Sequence, residues 1–264
     1  MSEVYVITSG KGGVGKTTTT ANLGTALAMA GNKVVLVDAD IGLRNLDLVM
    51  GLENRVVYDL VNVAEGTCRL KQALIKDKRQ KELYMIPAAQ TRDKDAVSEE
   101  QMKQLCGELK KEFDYILIDC PAGIEQGFKN AVAGADKAIV VTTPEVSAVR
   151  DADRIIGLLE ASGLNEPKLI INRLRPGMVK KGEMMDVEDI IELLAIPVIG
   201  VIPDDESIIV TTNKGEPVVM DEKSKTGQAY RNISKRVMGE QVPLLNLEEE
   251  GFFDKFRKLF SKKS

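Results

Sequence analysis

Residues Gly10-Lys11-Gly12-Gly13-Val14-Gly15-Lys16-Thr17 carry the spacing G-x-x-x-x-G-K-[ST]. The chemistry of that spacing is phosphate capture. Glycines let the backbone curl until successive N–H groups converge on phosphate oxygens. A helix opening directly afterwards adds partial positive charge at its start. Lys16 is placed to reach β- and γ-phosphates, and Thr17, followed by Thr18, to bring a hydroxyl to Mg²⁺. Lys11 has no role in a generic loop of this kind, and spacing alone leaves it either a solvated lysine or a second phosphate ligand. Three carboxylates stand at the ends of apolar runs. Ile116-Leu117-Ile118 delivers Asp119, the Walker B position, expected to hold Mg²⁺ through a water. Val34-Val35-Leu36-Val37 delivers Asp38 and Asp40, candidates for orienting or deprotonating the attacking water, with Asp40 also near the metal. Strand-end aspartates are also common turn formers, and Asp38 fits either part. After Asp119, the Pro121-Ala122-Gly123 stretch reads as a mobile γ-phosphate sensor. Asn213-Lys214-Gly215-Glu216 approximates a guanine-reading N-K-x-D but ends in Glu, which favours adenine.

Positioning these groups requires alternating strands and helices. Strands are predicted at 4–7, 33–37, 84–86, 114–118, 137–142, 168–171 and 198–202. Helices are predicted at 16–30, ended by Gly31, at 99–112 behind a Ser98 cap, and at 146–160, 187–194 and 225–237. Continuous apolar strands in this alternation predict an α/β fold: a mostly parallel central sheet with helices on both faces. Such sheets bind ligands at the carboxyl ends of their strands, where the loop and the aspartates fall. The chain has 264 residues, enough for one such domain. It has no His and no Trp, which removes Ser-His-Asp and Cys-His nucleophile pairs and most zinc sites. Cys68, Cys106 and Cys120 show no C-x-x-C spacing and suit reduced thiols in the cytosol. No secretory leader pattern and no membrane-spanning run is present in the sequence.

Net charge is −4, yet the last 14 residues carry +4, leaving −8 on the rest. Four of the six phenylalanines also lie there. On a helix, Phe252, Phe253, Phe256, Leu259 and Phe260 fall within an arc of about 120°, with Lys255, Arg257 and Lys258 outside it. A basic amphipathic helix on an acidic body is the pattern of an interfacial membrane anchor. The predicted organisation is therefore a body over 1–243, an acidic tether over 244–251 and an amphipathic membrane-targeting helix over 252–264. One short tail binds weakly because ordering it offsets most of its apolar gain. Two tails on a dimer gain avidity of about 10²–10⁴.

The K-G-G-V-G-K-T loop with its extra lysine resembles the deviant Walker A motif of the MinD/ParA ATPases. The blocks at 38–60, 117–132 and 142–155 are similar to that family as well, and the resemblance extends over essentially the whole chain. It implies a P-loop NTPase fold of the deviant Walker A (SIMIBI) type with a C-terminal amphipathic helix. It also implies slow, partner-stimulated hydrolysis of ATP with Mg²⁺. Lys11 would be the signature lysine that crosses a dimer interface to the partner's phosphates, with two ATP molecules sandwiched between subunits. Asp40 matches the catalytic aspartate of switch I, and Ala122 and Gly123 match switch II. Asn172, Arg173, Pro203 and Asp204 match positions that hold adenine, and Glu145 a residue near the nucleotide across the interface. Arg150, Asp151, Asp153 and Arg154 lie on the helix that contacts a MinC-like division inhibitor, although they also read as a solvated face with charge pairs. The implied protein is cytoplasmic and peripheral on the inner face of the cell membrane, binding anionic lipid and positioning the division site. Its activating factor would be MinE-like or another scaffold.

Two other readings use the same scaffold. A partition ATPase binding DNA nonspecifically needs basic patches on its dimer, and a body at −8 argues against DNA. An iron–sulfur carrier needs paired cysteines at a dimer axis, and only Cys120 lies near the switch region.

Overall fold

In the computed structural model, which describes residues 2–245 and 247, the apolar runs assemble into one eight-stranded sheet. The strands are β1 (Glu3–Thr8), β2 (Val34–Asp38), β3 (Ile75–Lys76), β4 (Leu83–Ile86), β5 (Tyr115–Asp119), β6 (Lys137–Thr142), β7 (Lys168–Leu174) and β8 (Val198–Pro203). Their order is β3-β4-β2-β5-β1-β6-β7-β8, and only the β3–β4 pair is antiparallel. The expected mostly parallel sheet is therefore present. β1 sits at the centre, paired with β5 on one side and β6 on the other. That register sets Ile7 beside Asp119, and the β2–β5 pairing sets Asp38 beside Asp119. Three chemistry-bearing strand ends thus meet at one point of the sheet, the place such folds reserve for ligands.

Side chains alternate between two apolar layers. Val4 and Val6 face one, Tyr5 and Ile7 the other. The first layer is covered by α3 (Leu60–Ala64), α5 (Glu99–Leu109), α6 (Gln126–Ala133), α7 (Val146–Ala161) and α9 (Val187–Leu194). The second is covered by α1 (Lys16–Met29), α2 (Leu46–Val49) and α11 (Lys225–Val237). Short helices α4 (Leu70–Ala73), α8 (Pro176–Val179) and α10 (Ser207–Asn213) complete the order. Local chemistry fixes the helix starts. The Ser98 hydroxyl accepts from the Gln101 N–H, and the Gln101 side chain accepts from the Ser98 N–H, a reciprocal cap for α5. Asp186 and Ser224 cap α9 and α11 in the same way through one bond each.

The end of the described chain is strapped to the sheet. The Arg236 guanidinium donates to the carbonyls of Ile199 (2.7 Å), Val242 (2.8 Å) and Pro243. Leu245 then packs on the α1/α11 layer and Leu247 on the opposite one. Among the described residues, no helix is long and apolar enough to cross a membrane. The candidate anchor residues Phe252, Phe253, Lys255, Phe256, Arg257, Lys258, Leu259 and Phe260 lie outside the described residues.

Candidate nucleotide site

The loop between β1 and α1 has the form its glycines allow. Gly15 takes φ 101° directly before α1, and no side chain caps that helix start. Its first N–H groups are left without a side-chain partner, which suits an anion. Lys11, Gly12 and Gly13 form the exposed rim, while Val14 and Lys16 are buried. Lys16 Nζ donates to Ser9 Oγ at 3.0 Å, and Ser9 Oγ donates in turn to the Lys11 carbonyl at 2.8 Å. Ser9 has no place in the motif, and no spacing signal would have found it. Its hydroxyl nevertheless sets the lysine and the loop rim against each other.

The carboxylates converge as the strand ends require. Asp119 is buried and accepts from the Thr20 hydroxyl at 3.4 Å. Burial pushes its carboxyl up to about 7, opposed by hydrogen bonding from Thr17 and by Lys16. Asp38 is also fully buried, and burial together with the neighbouring Asp119 raises it well above the ordinary carboxylate range. Its two oxygens accept from the Asp40 N–H (3.0 Å) and the Leu46 N–H (3.2 Å). Each oxygen thus holds one N–H of the loop between β2 and α2, so Asp38 shapes that loop. Asp40 is half-buried, raised by burial and drawn back by Lys16 and Lys94. A pair of buried acids whose charged form is disfavoured is a site that a cation completes. The donors present, Thr17, Asp40 and Asp119, are hard oxygens of the type that Mg²⁺ selects.

Beyond the loop, a cleft of about 670 Å³ is lined by Thr143, Glu145, Arg173, Arg175, Met178 and Asp204 among others. It brings together Arg173 and Asp204, two of the positions expected around the base, with Glu145, expected near the nucleotide across a dimer interface. Asp204 accepts from Arg175 Nε at 2.6 Å, and Pro203 ends β8 beside it. Asn172 is different: it is buried, and its side-chain amide points at the phosphate loop. The Asn213–Glu216 stretch stands elsewhere, behind α10, where Gly215 abuts Gly51 and its carbonyl accepts from Arg79.

Lys11 reaches α7 of its own chain. Its Nζ lies 3.6 Å from Glu145 and 3.3 Å from Ser147 Oγ, and its side chain is 45% exposed. The same helix touches the loop at its other end. A Cβ on Gly10 would fall 2.3 Å from the Asp151 carbonyl oxygen, so only glycine fits there. Arg150, Asp153 and Arg154 are exposed along α7, and no ion pair among the described residues joins them. Ala122 and Gly123 follow Asp119 and Cys120, and the Gly123 N–H approaches the Ser9 carbonyl at 3.5 Å. Cys106 and Cys120 are buried, and burial pushes both thiols up to about 12, which leaves them inert.

Residues 5–218 match the CobQ/CobB/MinD/ParA nucleotide binding domain. The chain is 60% identical, over the whole length of both, to the septum site-determining protein MinD of Bacillus subtilis (strain 168). It is similar in structure to a chain of the MinC:MinD cell division protein complex of Aquifex aeolicus, with a TM-score of 0.88 and 52% identity over 94% of this chain and 100% of that one. It is also similar to the septum site-determining protein MinD complexed with Mg-ADP from Pyrococcus horikoshii OT3, with a TM-score of 0.82 and 33% identity over 90% and 96% of the two chains.

Proposed function

The chain belongs to the CobQ/CobB/MinD/ParA nucleotide-binding family, and on that premise we propose that it is an ATPase that dimerises with ATP, binds the membrane periphery and helps place the division site. The observation that carries this reading is the rim of the phosphate loop. A generic loop needs one lysine, and Lys16 already fills that place, buried on Ser9. Lys11 is a second cation on the exposed lip, tethered only to Glu145 and Ser147. An outward cation at a phosphate site serves a phosphate presented from outside, as a second copy of the chain would present it.

In this reading Gly10 to Thr18 cradle the phosphates, with Asn172, Arg173, Pro203 and Asp204 around the base and Glu145 near the nucleotide across the dimer interface. Thr17, Asp119 and Asp40 would hold Mg²⁺, which would neutralise charge on the phosphates. Asp40 orients the water that attacks the γ-phosphorus, giving ADP and phosphate. Asp38 keeps the Asp40 loop in place through its two backbone bonds. Ala122 and Gly123 follow the departing phosphate. Among the described residues none stands as an arginine finger, so turnover is slow until a partner assists. The face for a MinC-like inhibitor is Arg150, Asp151, Asp153 and Arg154 on α7, and the activator is MinE-like or another scaffold. The dimer carries two copies of the 252–264 segment, and avidity makes its membrane residence follow the nucleotide state.

Sedimentation with anionic vesicles tests the proposal. More protein should pellet with ATP than with ADP, and equal fractions would remove the switch. A gel shift with ATP at low salt checks the partition reading, which predicts retarded DNA.

A further inference from the structure

We propose that Arg236 is a positioning residue for the C-terminal segment: it fixes the point at which that segment leaves the body, and so sets how well the two segments of a dimer hold one membrane together. The inference rests on the reading of residues 252–264 as a membrane anchor. β7 and β8 shift register at their start, where Leu169 faces Val198 and Ile170 faces Gly200, so Ile199 is an extra residue with no facing partner. Gly200 lets α11 come close, since a Cβ there would fall 2.3 Å from Ile233 Cγ1. Arg236 stands three residues further along α11, on the face that Ile233 turns to the strand. Its Nη1 donates to the Ile199 carbonyl at 2.7 Å. Gly239, at φ 89°, then turns the chain back on the end of α11. Nε donates to the Val242 carbonyl at 2.8 Å and Nη2 to the Pro243 carbonyl. One planar guanidinium, its donors in a fixed fork, thus ties the returning chain to the edge strand.

The tie decides reach. Leu245 and Leu247 touch the core directly after it, but both are only partly buried and do not hold the chain without it. Phe252 lies five residues beyond Leu247 in the sequence, a length of chain that spans at most about 18 Å whatever its form. Without the tie the last hold is the end of α11 at Val237, fifteen residues before Phe252. The span then grows to at most about 54 Å. Once one segment of a dimer is bound, the second meets the same membrane at an effective concentration that falls as roughly the −3/2 power of leash length, so a threefold longer leash weakens joint binding about fivefold. A single segment gains nothing from the tie.

The test is sedimentation with vesicles of equal parts phosphatidylglycerol and phosphatidylcholine, titrated in lipid with Mg-ATP or Mg-ADP. With ATP, Arg236→Ala should need about fivefold more lipid than the parent for half pelleting. Its pelleting with ADP, its ATP-induced dimerisation by light scattering and its phosphate release without lipid should match the parent. A Gly-Ser insertion of about ten residues after Leu247 lengthens the leash equally with Arg236 in place, and it should show the same loss. The insertion carries the test if the alanine variant does not fold. Equal pelleting of Arg236→Ala and parent with ATP would overturn the proposal, as would an insertion variant that binds at full strength or a loss that appears equally with ADP. Failure of the intact protein to pellet with ATP would instead sink the anchor reading.

Discussion

Asp119→Asn tests the electrostatics of the site without needing nucleotide. In the fold, burial moves the Asp119 carboxyl from 3.8 to about 7. Each unit is worth about 1.4 kcal/mol, so charging this group without nucleotide or metal bound costs on the order of 4 kcal/mol. The sign follows from proton binding. Between about pH 4 and about pH 7 the folded state holds more protons here than the unfolded chain, so this group's contribution falls as pH rises through that window. Asparagine keeps the shape and never ionises. It also removes the neighbouring charge that helps to raise Asp38. Urea unfolding in EDTA, free of nucleotide, should therefore show the variant gaining on the parent by about 2–3 kcal/mol between about pH 5 and about pH 8. Adding Mg-ADP should reverse the order, because the carboxylate is then compensated and the amide is not. A stability difference that stays constant with pH would refute the buried-acid account.

Gly10→Ala should cripple nucleotide binding, because its Cβ meets the Asp151 backbone 2.3 Å away and must displace either the loop or α7; titration with Mg-ATP reads the loss. Lys16→Ala should abolish productive engagement of Mg-ATP, and nucleotide-dependent vesicle binding that persisted would contradict its role. Asp40→Ala should keep ATP-induced dimerisation, seen by light scattering, while phosphate release drops at least a hundredfold; an unchanged rate would take Asp40 out of the reaction. The chain ended at residue 250 should dimerise with ATP yet fail to pellet with vesicles.

Much of this was legible from the chain because the informative signals are local. An apolar run, a glycine-rich loop and an alanine-rich helix specify β1, the loop and α1 within 29 residues. Long strands and helices at Lys137–Thr142, Val187–Leu194 and Lys225–Val237 have the predicted bounds for the same reason. Helices α2, α3, α4, α8 and α10 are four to seven residues long, too short to display a period. α6 was obscured by Gly127 inside an otherwise polar start. Contacts that depend on tertiary approach left no local trace. Ser9 under Lys16, Arg236 across three carbonyls and Asn172 beneath Val14 are defined by partners up to 158 positions away. That Asp38 holds the Leu46 N–H, eight positions further on, could not be seen in the sequence.

The sheet has two outer borders, and they are treated differently. One ends in β3, a two-residue antiparallel stub that offers little to a passing chain. The other is the six-residue β8, to whose Ile199 carbonyl Arg236 fastens Val242 and Pro243. Arg236 thus couples Val242 and Pro243 to the Ile199 end of β8, and the far end of that strand carries Pro203 and Asp204, the latter lining the cleft beside the phosphate loop.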